Sequence, residues 1–333
     1  MILNLYRAYA VNAPTIMEHV NSFENYSKYN VINMNVTWGL PKYIDKINFD
    51  VIILHYSVFL SLPEIFFHFI KKQTKSIKIG FFQDEFHNCI ERFNLINELE
   101  LDIVYTLLDE QDHNIYKDNT NVKQVVHTLT GYVDDTLLTK ANLLYKSSGE
   151  RKIDIGYRAR PLPYYMGKGA QEKSQIGTEF NTRLSGSNLV LDIKTAENDR
   201  IYGENWHKFV ANCKGMIGVE AGVSVFDLKG EVQAACQEYL IINPNASFDE
   251  VHDAILLPFE DKIFYRTISP RVFECAALKV CMILFEGRYN DILEPDIHYI
   301  PLKKDYSNIE SVLSIFNNPI EYKRITNNAY NDL

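Results

Sequence analysis

The chain lacks the features that mark several protein classes. It has no run of 18 or more apolar residues, so no segment is long enough to cross a bilayer as a helix. The opening residues, Met1-Ile-Leu-Asn-Leu-Tyr-Arg7, have neither the basic start nor the cleavage site of a secretion signal and read directly into a strand. Cysteine is scarce. Cys89, Cys213, Cys236, Cys275 and Cys281 are odd in number and form no Cys-x-x-Cys pair, which removes a redox reading and predicts reduced, mostly buried thiols in a cytoplasmic protein. Positive charge is in deficit: 34 Lys and Arg against 43 Asp and Glu leave a net charge of −9. Nucleic-acid binders carry a basic field, so nucleic acid is excluded here as a partner. There is no Gly-x-Gly-x-x-Gly after the first strand, no P-loop, no His-Glu-x-x-His and no Gly-x-Ser-x-Gly, which removes nicotinamide, NTPase, zinc-protease and hydrolase readings. Nor does an Asp-x-Asp pair occur. Neither a metal nor a resident cofactor is expected.

What is present is a two-domain α/β pattern. A length of 333 residues exceeds one ordinary core, and 46% apolar residues suit a globular chain. Short β-rich runs at 1–6, 31–36, 49–55, 77–83, 102–106 and 122–127 alternate with helical segments near 13–28, 61–72, 91–99 and 110–117. A helix over 132–150 runs into the polar stretch Lys146-Ser-Ser-Gly-Glu-Arg151, and the boundary is set there, giving domains 1–148 and 149–333. The pattern then restarts. Strands are predicted at 152–157, 188–194, 214–219, 239–242, 255–258 and 280–285, and helices near 169–183, 205–213, 229–238, 269–278 and 308–317. The expected architecture is two Rossmann-like domains facing across a cleft, with ligands outside the C-terminal strand ends.

The most informative segment is Ser269-Pro-Arg-Val-Phe-Glu-Cys-Ala-Ala277. Serine caps a helix well and proline suits its first turn. The free N–H groups of such a helix start attract a diphosphate. Arg271 and Glu274 lie three residues apart on one face, where a guanidinium can fork onto phosphate and a carboxylate can accept ribose hydroxyls. The plain alternative is a solvated ion pair.

This segment resembles the S/P-x-R-x-x-E-x-x-A helix of GT-B glycosyltransferases of bacterial surface-polysaccharide synthesis. Asp154-Ile-Gly-Tyr-Arg-Ala-Arg-Pro-Leu-Pro163, Gly218-Val-Glu-Ala-Gly-Val-Ser-Val-Phe-Asp227 and Phe82-Gln-Asp-Glu85 are similar to the same family. The resemblance implies an N-terminal acceptor domain, a C-terminal nucleotide-sugar domain and a ribose-binding role for Glu274. It implies transfer of a sugar from a nucleotide-diphosphate sugar to a hydroxyl of a glycan or lipid-linked acceptor, without a metal. Two departures stand out: the paired glutamates of family 4 would put the first at Arg266, and Lys279 replaces the glycine that usually ends the helix. A nucleotide-sugar epimerase on the same fold and a non-catalytic sugar-binding protein are the rival readings.

Further candidates sit at predicted strand ends. Arg158 and Arg160 follow one strand, suited to bidentate phosphate contact. Glu220, Gly222 and Ser224 follow another, where a glycine lets a backbone approach phosphate or sugar. Asp84, Glu85 and His87 end strand 77–83 and are candidates for deprotonating an acceptor, with Asp84 preferred. The apolar run 58–70 reads as a buried helix; its alternative is a surface that meets a membrane peripherally. Nothing in the sequence sets an oligomeric state.

Overall fold

The computed structural model describes residues 1–8 and 14–333, so the expected helix start at residue 13 lies outside the described residues. Contacts divide the chain into two compact units: Met1–Thr128 with Phe226–Gln237 and Ile263–Tyr265, and Leu129–Val225 with Glu238–Lys262 and Arg266–Leu333.

In the first unit six strands form one parallel sheet: β1 (Ile2–Tyr6), β2 (Val31–Asn35), β3 (Val51–Leu54), β4 (Ile77–Phe81), β5 (Ile103–Thr106) and β6 (Gln124–His127), ordered β2-β1-β3-β4-β5-β6. Leu3, Leu5, Ile52, Ile53 and Val104 are buried, as strands covered on both faces require. The helix Glu64–Lys72 turns Phe66, Phe69 and Ile70 inward and leaves Ile65 exposed beside Lys71 and Lys72.

The second unit contains β7 (Ile153–Arg158), β8 (Leu191–Lys194) and β9 (Cys213–Gly218), a two-stranded pair of β10 (Ala221–Val225) and β11 (Glu260–Thr267), then β12 (Cys281–Phe285) and β13 (Ile300–Leu302). Its main sheet is parallel and runs β13-β12-β9-β7-β8. Period-two alternation builds a core on each face: Met216, Met282 and Leu284 pack with Phe209, Val272 and Phe273, while Ile217, Ile283 and Phe285 pack with Phe180 and Phe316. In both sheets the second strand flanks the first and the third lies on its other side. That doubly wound order puts a switch point between β1 and β3, and another between β7 and β9.

The structure departs from the sequence reading in several places. Residues 239–242 are the end of the helix Glu231–Ile242, not a strand, and 255–258 fall in and after a π-helical turn, His252–Leu256. Short apolar runs do not distinguish strand from helix by periodicity, and here Ile241 and Ile242 are exposed. Strands β10, β11 and β13 and the last helix, Pro319–Asp332, were not anticipated. Leu129–Val225 falls in the second contact unit, where Leu137 and Ala141 of the helix Asp135–Leu144 are buried among Phe209, Ile268 and Phe273. The expected linker is also tied down: Arg151 donates to the carbonyls of Lys146, Cys213 and Leu278.

Lys279 adopts the left-handed conformation (φ 51°), and the N–H groups of Lys279 and Val280 bond the carbonyls of Ala276 and Cys275. This is a Schellman ending made without glycine. All five cysteines are free and buried, and burial pushes the Cys89 thiol up to about 11.

Buried His55 and half-buried His19 give the first unit an acid-labile spot. His19 and His55 lie 4.9 Å apart by ring centroid, with Tyr56 beside both. Burial lowers His19 to about 4 and, with repulsion from His19, lowers His55 to about 2. Both stay neutral in the fold, whereas the unfolded chain takes up protons near pH 6.5. Their contribution is therefore whole above pH 6.5 and is lost as pH falls towards 4, with a slope approaching about 1.4 kcal/mol per pH unit for each. Urea unfolding at pH 7 and pH 4.5 should show this loss, and His55→Leu should flatten it. An unchanged pH slope in that variant would remove His55 from the account.

Candidate functional site

In the second unit the helix Pro270–Ala277 starts as expected: Ser269 caps it, accepting the Arg271 N–H at 3.4 Å, and Pro270 occupies its first turn. Arg271 and Glu274 share a face, but they do not pair with each other. The Arg271 guanidinium lies between the rings of Tyr157 and Trp206, at 4.9 and 5.3 Å from their centroids. One terminal nitrogen donates to the Arg158 carbonyl at 2.7 Å, and Nε is buried without a partner among the described residues. Glu274 accepts the Trp206 indole N–H on Oε2 at 2.6 Å, while Oε1 stands 3.7 Å from His207 Nε2. Stacking fixes the plane of the guanidinium and leaves edge donors for an oxyanion. Trp206, which the sequence reading passed over, positions both residues.

The remaining second-unit candidates divide. Arg158 is buried over Phe209 and donates to the Tyr157 and Asp192 carbonyls and to the Asp192 carboxylate at 2.8 Å. It anchors the end of β7 to β8. Arg160 is exposed, with Glu197 at 3.7 Å. The Ser224 hydroxyl is fully buried and caps the helix Lys168–Arg183 by accepting the Gly169 N–H at 2.8 Å. Gly222 has a left-handed backbone (φ 80°), and its carbonyl accepts from Lys173 Nζ. Glu220 is buried at the end of β9, where burial pushes its carboxyl upward. Arg266, where a glutamate would stand in the family pattern, bonds Asp261 and Glu172 and lies against Gly169. A glutamate there would meet those two carboxylates instead of balancing them.

In the first unit, Asp84, Glu85 and His87 lie in the turn between β4 and the helix Cys89–Leu99. The three are not equivalent. Glu85 is fully buried and accepts from Thr106 Oγ1 and Tyr116 Oη at 2.5 Å, the Leu107 N–H at 2.8 Å and Tyr265 Oη at 3.1 Å. Burial pushes its carboxyl up. The buried Arg92, stacked on Phe59 and Phe82, donates to the backbone carbonyls of Glu85 and His87. Asp84 is exposed on a left-handed backbone (φ 49°), a conformation costly for a non-glycine residue. His87 is half-buried, with Nδ1 unpartnered among the described residues. Of the three, Asp84 and His87 remain open to a reactant.

Two doubly wound parallel sheets on one chain, each with its switch point, now stand beside matches to solved structures along the full length. The chain has the GT-B fold. An α-glucosyltransferase in complex with UDP and a 13-mer DNA containing a HMU base superposes with a TM-score of 0.56 at 10% identity, covering 100% of this chain and 94% of that one. The α-glucosyltransferase with UDP-glucose and DNA containing an abasic site gives 0.53 at 11% identity, covering 99% and 93%. HepE of Anabaena with UDP-glucose gives 0.50 at 8% identity, again covering 99% and 93%. No family model and no curated protein matches the sequence. These complexes correct one expectation: proteins of this GT-B fold are found on DNA, so the acidic net charge does not exclude nucleic acid as a partner. Among the described residues, no helix is long and apolar enough to cross a membrane.

Proposed function

We propose that the protein is a glycosyltransferase that moves a sugar from a uridine diphosphate sugar to an acceptor hydroxyl, with the donor held by the second unit. The observation that carries this reading is the Arg271–Glu274 helix: a capped N-terminus, a stacked arginine with spare donors and a carboxylate braced by Trp206. Arg271 and Arg160 would neutralise the departing diphosphate without a metal, and Glu274 would accept the ribose hydroxyls. Arg158 and Ser224 take supporting roles, because the terminal nitrogens of Arg158 bond Tyr157 and Asp192 and the Ser224 hydroxyl holds the Gly169 N–H. The UDP-glucose complexes of the same fold support the choice of donor. For the acceptor we favour a glycan or lipid-linked hydroxyl, as in surface-polysaccharide synthesis. The exposed Leu60 and Ile65, with Lys71 and Lys72 in the last turn of the helix Glu64–Lys72, supply apolar and basic groups for a surface that approaches a membrane from the cytoplasmic side.

Calorimetric titration with UDP tests the site. A charged hydrogen bond contributes about 1.5–3 kcal/mol, so Glu274→Ala and Arg271→Ala should each weaken binding roughly ten- to hundred-fold. EDTA should leave the affinity unchanged. Trp206 offers a second readout: Trp38 is the other tryptophan and is exposed, so Trp38→Phe leaves an indole whose fluorescence should change saturably with UDP. Unchanged affinity in both variants, with the fold intact, would reduce the pair to a structural contact.

A further inference from the structure

The loop after β12 holds three consecutive non-glycine residues in the left-handed region: Tyr289 (φ 47°), Asn290 (φ 55°) and Asp291 (φ 58°). Such a run persists only where its surroundings over-determine it. Here the Tyr289 ring is fully buried beside Tyr299, and its hydroxyl donates to the Phe285 carbonyl at 2.6 Å. Asn290 Oδ1 accepts the Ile268 N–H at 2.6 Å. At the head of the run, Arg288 is right-handed and Tyr289 left-handed, the alternation that turns successive N–H groups into one anion-binding concavity. Glu220 fills that concavity: Oε1 accepts the N–H groups of Arg288 at 3.1 Å and Tyr289 at 2.9 Å. The absent side chain of Gly287 makes the room, since a Cβ there would lie 2.7 Å from the Glu220 carboxyl carbon. The other oxygen, Oε2, has no hydrogen-bond partner among the described residues.

Glu220 follows β9, one flank of the β7/β9 switch point, where doubly wound sheets bind their ligands. A carboxylate held this way repels phosphate and accepts a hydroxyl. We propose that Oε2 of Glu220 receives a hydroxyl of the donor's sugar, making this a subsite that takes neutral sugars and refuses anionic ones. The inference rests on the nucleotide-sugar reading above and adds the class of sugar to it. The diphosphate then lies away from Glu220, towards the arginines.

The test is calorimetry of UDP, UDP-glucose and UDP-glucuronate against the wild-type chain, Glu220→Gln and Gly287→Ala, with thermal melts to verify folding. Glutamine keeps an oxygen for the two N–H groups, so the loop is preserved. In the wild type, UDP-glucose should bind at least ten-fold more tightly than UDP-glucuronate, because like charges meet in the second complex. Glu220→Gln should leave UDP within two-fold, weaken UDP-glucose about ten-fold and erase most of the discrimination. Gly287→Ala, which displaces the carboxylate, should reproduce that loss of discrimination. Unchanged UDP-glucose affinity in Glu220→Gln, or equal losses for UDP and UDP-glucose, would overturn the subsite while leaving the transferase reading in place. Absence of UDP binding to the wild-type chain would overturn both.

Discussion

Asp84→Asn should lower the turnover of UDP-glucose by about 10²- to 10⁴-fold while leaving the fold intact, as expected when a positioned general base is lost. Asp84 is exposed in the turn after β4, on a backbone that an aspartate adopts only at a cost. Asparagine tolerates the left-handed region at least as well, so the variant should melt no earlier than the wild type. The reaction can be followed as UDP release with water as acceptor, whose deprotonation makes the same demand as that of a hydroxyl. A variant that turns over normally would transfer the role to His87, and His87→Gln is the paired measurement.

The neighbouring carboxylate should behave in the opposite way. Glu85→Ala is expected to cost about 3–5 kcal/mol in denaturant unfolding, since it strips a buried network of its central acceptor. Thr106, Tyr116 and Tyr265 would lose the partner of their hydroxyls, the Leu107 N–H would be orphaned, and Arg92 would lose the favourable field of a buried carboxyl group. Fully buried tyrosine hydroxyls find no water to replace it. If Glu85→Ala instead unfolded like the wild type and lost only turnover, Glu85 would return to the catalytic candidates. Adjacent residues of one short motif would then have been misassigned by burial alone.

How much of this was legible in the sequence follows from the range of each interaction. Strands of parallel sheets are rich in apolar residues, so β1 to β9 and β12 could be located from runs of Val, Ile, Leu and Phe. Helix caps are equally local, and Ser269-Pro270 marked the start of the key helix because the capping hydroxyl lies two residues from its N–H. Where an apolar run was short, as at 239–242, the chain's own pattern fitted two structures; here the run is the exposed end of a helix whose buried residues, Val232 and Cys236, lie earlier in the chain. Long-range packing is likewise invisible locally: the packing of Leu137 and Ala141 on Phe273 joins residues far apart in sequence, and no local signal records it.

The chemistry divides along the same line. Sequence alone nominated carboxylates, arginines and glycines at strand ends, because strand ends are where doubly wound sheets bind ligands. It did not determine which of them keep free polar atoms. Arg158 was as good a phosphate candidate as Arg160 until Asp192, in another strand, took its guanidinium. Ser224 looked like a ligand until the Gly169 N–H, 55 residues earlier, occupied it. Trp206 had no motif to announce it, yet it orders both Arg271 and Glu274. A hydrogen bond can be made once, and tertiary structure decides whether the partner is the protein or the substrate.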